Sequence, residues 1–299
     1  MEPHCFSRPA SEACICAPRA VTRIPSTFPK TMTHWKSYHL LGESFADTDD
    51  APASLFRWAV ERVVDGLTDH DVYSQTVAKA ATRQGAMQRA ERRMLRLLAL
   101  DADPVAELMR TAHDASAFQM RWNGFNRMAP LGVETRVSCD AGLRLQRETR
   151  AAGLQDEMRE QAGAICVSHL MAEDSPLRQR NEEIRPLARH FGELGYANAA
   201  LRDSVDSLYA DPFAELDQCA DAVGASRRTL QRAFTQAGLS FRLLRQAVRL
   251  TLASHAMCST SGESITAIAH ASGFFDSAHL VRAWKQSCGL TPSQYRSLC

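Results

Sequence analysis

No apolar run in this 299-residue chain approaches the roughly 18 residues that cross a membrane as a helix. The first residues carry arginines, but no apolar stretch of about 7–15 residues precedes a small-residue cleavage site. A cytoplasmic protein with no membrane partner is therefore expected. Also missing are the phosphate-cradling G-x-x-x-x-G-K-[ST], a G-x-G-x-x-G opening a helix, the zinc motif H-E-x-x-H and the nucleophile elbow G-x-S-x-G. Cys139 or Cys166 can be paired on paper with His113 or His169. With nine cysteines and ten histidines such pairs arise by number alone, and no nucleophile signature surrounds them. No enzyme, cofactor or metal is expected. The cysteine count is odd and spread along the chain, which in a reducing compartment argues against structural disulfides. Strand signals are scarce too. Runs of Val, Ile, Thr and aromatics alternating at period 2 are limited to two short candidates, of which residues 131–138 are the clearest, and that is too few for a β-barrel.

Charge of one sign is also in short supply. The formal net charge is +1. From Asp211 onward nine Lys and Arg face six Asp and Glu, a mild surplus. Any binding to nucleic acid must rest on a few placed arginines and gains little from a broad basic field.

The length suffices for two domains, each with its own core. Residues 1–33 hold five prolines and no apolar period, and they are read as disordered, with Met32 as an alternative start. His4, Cys5, Cys14 and Cys16 lie there, but their spacing matches no closed zinc site. Residues 34–205 form the expected regulatory or dimerisation domain, mainly helical and of uncertain fold. Helices are expected over 51–66, over 70–100 with a break near Gly85, from Asp103 toward Trp122 or Met128, over 143–162, over 186–192 and over 198–208. Residues 165–171 are apolar and ambiguous. The apolar stripe of residues 87–100 is read as core, with a partner-binding face as the alternative.

Residues 206–299 carry the chain's most specific pattern, two units of one design in tandem. In the first, Leu216, Cys219, Ala220 and Val223 form one helical face, Gly224 ends the helix, and Ser226 caps a second helix. Leu230 and Phe234 point that helix inward, leaving Arg227, Arg228, Gln231 and Arg232 outward near its start. In the second, Ile265, Ile268 and Ala269 form the scaffold face, Gly273 terminates it, and Phe274 plugs the turn. Asp276 then caps a helix anchored by Leu280 and Trp284. Ser277, Ala278, Val281, Arg282 and Lys285 remain outward. His279 is read as a packed or capping residue. A helical run over 241–257, about 25 Å long at 1.5 Å per residue, joins the units. Each unit is a helix-turn-helix. Arginine suits guanine edges, glutamine suits adenine edges, and free N–H groups at a helix start suit phosphate.

This segment resembles the DNA-binding domain of the AraC/XylS family of bacterial transcription regulators. The specific part is Gly273-Phe274, Asp276-Ser277-Ala278-His279-Leu280, Arg282-Ala283-Trp284-Lys285, Gly289, Thr291-Pro292-Ser293 and Tyr295-Arg296. The resemblance covers the C-terminal third alone. It implies base-facing roles for Arg228, Gln231 and Arg232, and for Ser277, Ala278, Val281 and Arg282. It further implies double-stranded DNA and RNA polymerase as partners, and activation as the outcome. Cys219 and Phe275 depart from the family pattern. Ala278 and Val281 offer only apolar contact, which makes the second helix more a positioner than a reader. The N-terminal part lacks the β-barrel of the sugar-responsive members. A small-molecule or protein effector and a homodimer are left open there. Adaptive-response relatives are set aside, because the chain has neither their four-cysteine zinc pattern nor a Pro-Cys-His-Arg. The expected fold is mainly α, ending in an all-α tandem helix-turn-helix with a long linker helix. The rival function is a protein-interaction module whose helix-turn-helix units dock a partner in place of DNA.

Overall fold

The computed structural model describes residues 34–139, 143–151, 157–172, 185–259 and 262–299. The expectations for residues 1–33, the His4/Cys5/Cys14/Cys16 set among them, lie outside the described residues. The fold is mainly α, as the periodicities indicate.

The chain enters through a short strand, β1 (Lys36–Tyr38), which runs straight into α1 (His39–Phe45). Pro52 opens α2 (Pro52–Val64) at a position where its missing N–H costs no hydrogen bond. A second strand, β2 (Leu67–Asp69), leads directly into α3 (His70–Ala81). The two strands pair antiparallel, with Ser37 opposite Thr68. Gly85, at φ 68°, separates α3 from α4 (Ala86–Leu100). The apolar stripe of α4 is core: Ala90, Met94, Leu97, Leu98 and Leu100 are buried.

The helix expected to run on from Asp103 is in fact two, α5 (Pro104–Arg110) and α6 (Ala115–Met128). Asp114 causes the break, since its carboxylate accepts the Ala117 N–H and caps a new helix. After β3 (Val133–Ser138) the chain forms β4 (Arg144–Thr149), paired antiparallel with Leu145 opposite Val137. The helix expected over 143–162 is thus corrected to a strand followed, further on, by α7 (Glu157–Met171). Pairing to β3 offers residues 144–149 a ladder that helical propensity cannot match locally. α7 also absorbs the ambiguous residues 165–171.

α8 (Pro186–Leu194) and α9 (Ala199–Ala210) precede the tandem units. These comprise α10 (Leu216–Ala222), α11 (Arg227–Gln236), the strut α12 (Phe241–Ser259), α13 (Ile265–Ala271), α14 (Ser277–Cys288) and α15 (Pro292–Arg296). One buried core runs from Leu40 to Leu298, and α12 packs on α2 and α5 as well as on α9 and α13. Cys258 and Cys299 are joined by a disulfide, with Cα atoms 5.1 Å apart. The reading of the cysteines as unpaired is corrected there. Their separation of 41 residues gives no hint that the chain folds back beside α12. Among the described residues, no helix is long and apolar enough to cross a membrane.

Candidate nucleic-acid interface

The two tandem units close their turns in the same way. In the first, Gly224 N–H donates to Asp221 O and Ala225 N–H donates to Ala220 O. In the second, Gly273 N–H donates to His270 O and Phe274 N–H donates to Ala269 O. Both glycines sit at positive φ, 65° and 84°, so each scaffold helix ends in a left-handed residue that satisfies its last carbonyls. Ser226 Oγ then accepts the Thr229 N–H at 3.1 Å, and Asp276 Oδ1 accepts the His279 N–H at 2.6 Å. These caps fix where α11 and α14 begin.

Inward anchors hold each recognition helix on its scaffold. Leu230 and Phe234 are buried in α11, and Leu280 and Trp284 in α14. Trp284 stacks edge-on against Tyr295, with ring centroids 4.9 Å apart. His279 packs edge-on to Phe274 at 5.1 Å, in keeping with a packing role. Its pKa is lowered, first by partial burial and then by Arg249 and Arg282.

The outward residues are where the spacing puts them. Arg227, Arg228, Gln231 and Arg232 on α11 are exposed, as are Ala278, Arg282 and Lys285 on α14, while Ser277 and Val281 are half-buried. Their partners separate them. Arg227 donates to both carboxylate oxygens of Asp217 on the scaffold helix, at 2.7 and 3.0 Å, which turns its guanidinium toward that helix. Arg245 donates to Ala214 O and Glu215, Arg249 to Pro212 O, and Arg296 to Glu263 O. Burial, with Arg245 nearby, pushes the Arg249 pKa down to about 10. Among the described residues, Arg228, Arg232, Arg242, Arg282 and Lys285 have no ion pair.

Arg242 was not among the sequence candidates. It opens the strut helix, is exposed, and lies near enough to α14 to act on the charge of His279. Its position between two capped helices was the available signal. Phe275, flagged only as a departure from pattern, is 82% exposed just ahead of α14.

A family model described as a helix-turn-helix domain matches residues 219–297. The C-terminal segment is a helix-turn-helix domain of the AraC type. That match takes in both units of the AraC-type domain and supports DNA as a partner and transcription regulation as the role. No curated protein and no solved structure matches the chain.

A second cluster of chemical side chains lies where the AraC-type domain meets the preceding helices. Tyr38 OH donates to Asp101 Oδ2 at 2.5 Å, and His39 Nε2–H lies 3.2 Å from Asp103 Oδ2 and 3.4 Å from Asp101 Oδ2. All three donor atoms of His39, Asp101 and Asp103 fall within 4.8 Å, a spacing that a metal ion also accepts. Burial alone would lower the His39 pKa, but the charge of Asp101 and hydrogen bonds to both aspartates carry it up to about 9. Burial, then the Asp101 charge, pushes Asp103 up to about 6. Burial opposes ionising Asp101, yet His39 and the Tyr38 hydroxyl hold it below the ordinary value.

This cluster abuts α14. Gly66 N–H donates to Ser287 O at 3.0 Å, and Ser287 Oγ donates to Val63 O at 2.7 Å. A Cβ on Gly66 would stand 2.6 Å from Ser287 O and 2.8 Å from Asp103 Oδ2. Tyr295 OH donates to Pro104 O at 2.6 Å. The sequence reading names Asp103 as a helix start and Tyr295 within the family pattern but does not bring these groups together, because 62 residues separate His39 from Asp101 and no motif links them.

Proposed function

We propose that the protein is a sequence-specific transcription activator that lays α11 and α14 into successive major grooves on one face of promoter DNA. One observation carries this: two capped helices, on matching turns and joined by one strut, both leave most of their outward residues exposed among the described residues. The strut has 19 residues, about 28 Å at 1.5 Å per residue. That is close to the ~34 Å between successive major grooves on one side of the duplex. A single chain then reads two grooves, and a homodimer is not required.

Arg228 and Arg232 are assigned to guanine edges and Gln231 to adenine. Ala278 and Val281 meet thymine methyls, Arg282 and Lys285 meet phosphate, and Ser277 supplies its N–H groups at the helix start. Arg227 is left to support Asp217. The DNA-binding unit begins with α9, which packs on α10, α11 and α12, and residues 34 to about 198 form the regulatory part. Contact with RNA polymerase follows from the activator reading. Signals from the regulatory part reach DNA through the Gly66–Ser287 junction on α14.

The test is genome-wide mapping of sites bound by the tagged protein in its host, against an Arg228→Ala/Arg232→Ala control. Discrete sites sharing a two-part motif, lost in the control, are expected. Sites that survive the double substitution point to the docking-module alternative. Salt separates the two readings in vitro. Release of counterions by three to five cation–phosphate contacts gives a slope of about −3 to −4.5 in log K against log salt. A flat salt response removes DNA as the ligand.

A further inference from the structure

Where β1, β3 and β4 meet α3, α6 and α7 there is a cavity of about 60 Å3. Its floor is apolar, with Tyr73, Val105 and Phe125 each 3% exposed. Most of its polar lining is already committed. Tyr38 OH donates to Asp101, Ser37 Oγ lies 2.8 Å from His70 Nδ1, and Trp122 Nε1 donates to Thr135 O. Asn126 is bonded at both ends, to Trp122 O and to the Thr135 N–H.

Arg147 is the exception. Its Nε and Nη1 are buried and have no hydrogen-bond partner. The side chain as a whole is half-buried, but a buried N–H without a partner is costly, and such groups ordinarily find an acceptor. Among the described residues, no carboxylate lines the cavity. Lys36, which also lines the cavity, is already paired with Asp69 at 4.0 Å. The Cys166 thiol opposite is pushed up to about 12 by burial, then by Asp101, so it is neutral and cannot supply an anion. Gly163 faces the guanidinium, and a Cβ there would stand 3.9 Å from Arg147 Cζ, in ordinary van der Waals contact.

The volume limits what can enter. A dry cavity of about 150 Å3 accepts benzene, and this one has less than half that volume, which favours a ligand smaller than an aromatic ring. We propose that the cavity binds a short aliphatic carboxylate of two or three carbons, with its carboxylate on the Arg147 guanidinium and its chain against Val105, Phe125 and Tyr73. The site would make the preceding helices a sensor for small organic acids. It also touches the junction with α14 through Tyr38, which lines the cavity and donates to Asp101.

The experiment is a titration of the full chain with sodium propionate, followed by tryptophan fluorescence, because Trp122 lines the cavity. Propionamide has the same shape without the charge and serves as the control. A saturable change with propionate is expected, at least tenfold weaker with propionamide and in Arg147→Gln. In Trp122→Phe the optical signal disappears while calorimetric binding persists. The propionate–propionamide comparison uses the unaltered chain, so it stands even if Arg147→Gln fails to fold. Equal binding of the acid and the amide overturns the proposal, as does the absence of saturable binding for both acetate and propionate. None of these readouts involves DNA, so the regulator reading succeeds or fails separately.

Discussion

Four of the nine basic side chains after Asp211 are tied to groups of the protein itself, and this changes what each arginine can do. Arg227 and Asp217 are both more than half exposed, so their pair contributes under about 1 kcal/mol to stability. It nevertheless sets where the guanidinium points. Arg232→Ala is expected to weaken specific DNA binding by about 1–3 kcal/mol and to relax one base position. Arg227→Ala should change it far less. Competition binding against single-base operator variants decides; equal losses for the two would mean that Arg227 leaves Asp217 on DNA. The buried His39 cluster has its own signature. His39 has a raised pKa, so its stabilising effect is complete below about 6.5 and lost as pH climbs through about 9. Asp103, also raised, loses its effect earlier, between about 3.8 and 6. Asp101 acts in the opposite sense and matters only in acid. The thermal midpoint should fall between pH 7 and 10 in the wild type, and by less in His39→Gln. Parallel pH profiles for the two would exclude His39 as the cause.

Among the elements, the two turns look alike in sequence but differ in surroundings. Nothing lies within 4 Å of a Cβ placed on Gly224. Gly224→Ala should cost only the strain of a left-handed residue, about 1–2 kcal/mol. A Cβ on Gly273 would stand 2.8 Å from both Cβ and O of Pro212, and part of that obstacle is backbone. Gly273→Ala should cost at least twice as much in urea denaturation. Equal costs would show that the segment around Pro212 yields freely. These turns were legible because Gly, a capping Ser or Asp, and an apolar period recur at fixed offsets. β1, β2 and α1 were not legible, since three-residue strands carry too few positions to show a period. β4 was misread as helix because Arg, Leu, Gln and Glu favour helices and only its pairing with β3 overrides them.

The whole molecule links its preceding helices to α14 through a contact that leaves no room. Gly66→Ala would drive a Cβ into Ser287 O and Asp103, so α2 and α14 must separate. We expect a loss of about 1–3 kcal/mol in stability, the usual cost of overpacking. Weaker or deregulated DNA binding should accompany it, although Gly66 lies outside the tandem helices. An unchanged operator affinity in a folded Gly66→Ala protein would mean that α14 is not set by this junction. The disulfide between Cys258 and Cys299 belongs to the same scale, since it ties the last residue to the strut.

By itself the sequence determined the tandem helix-turn-helix, its caps, its glycine turns and the outward set Arg228, Gln231, Arg232, Ala278, Arg282 and Lys285. All of these follow from offsets of a few residues along one chain. Tertiary structure alone decided that Arg227 is held by Asp217 and that Arg242, exposed and without an ion pair among the described residues, stands near His279 of α14. It also decided that His39 meets Asp101 and Asp103, that Arg147 faces a cavity without a partner, and that Gly66 touches Ser287. Each of those contacts joins separate elements, most of them tens of residues or more apart, and no local period or propensity records such a distance.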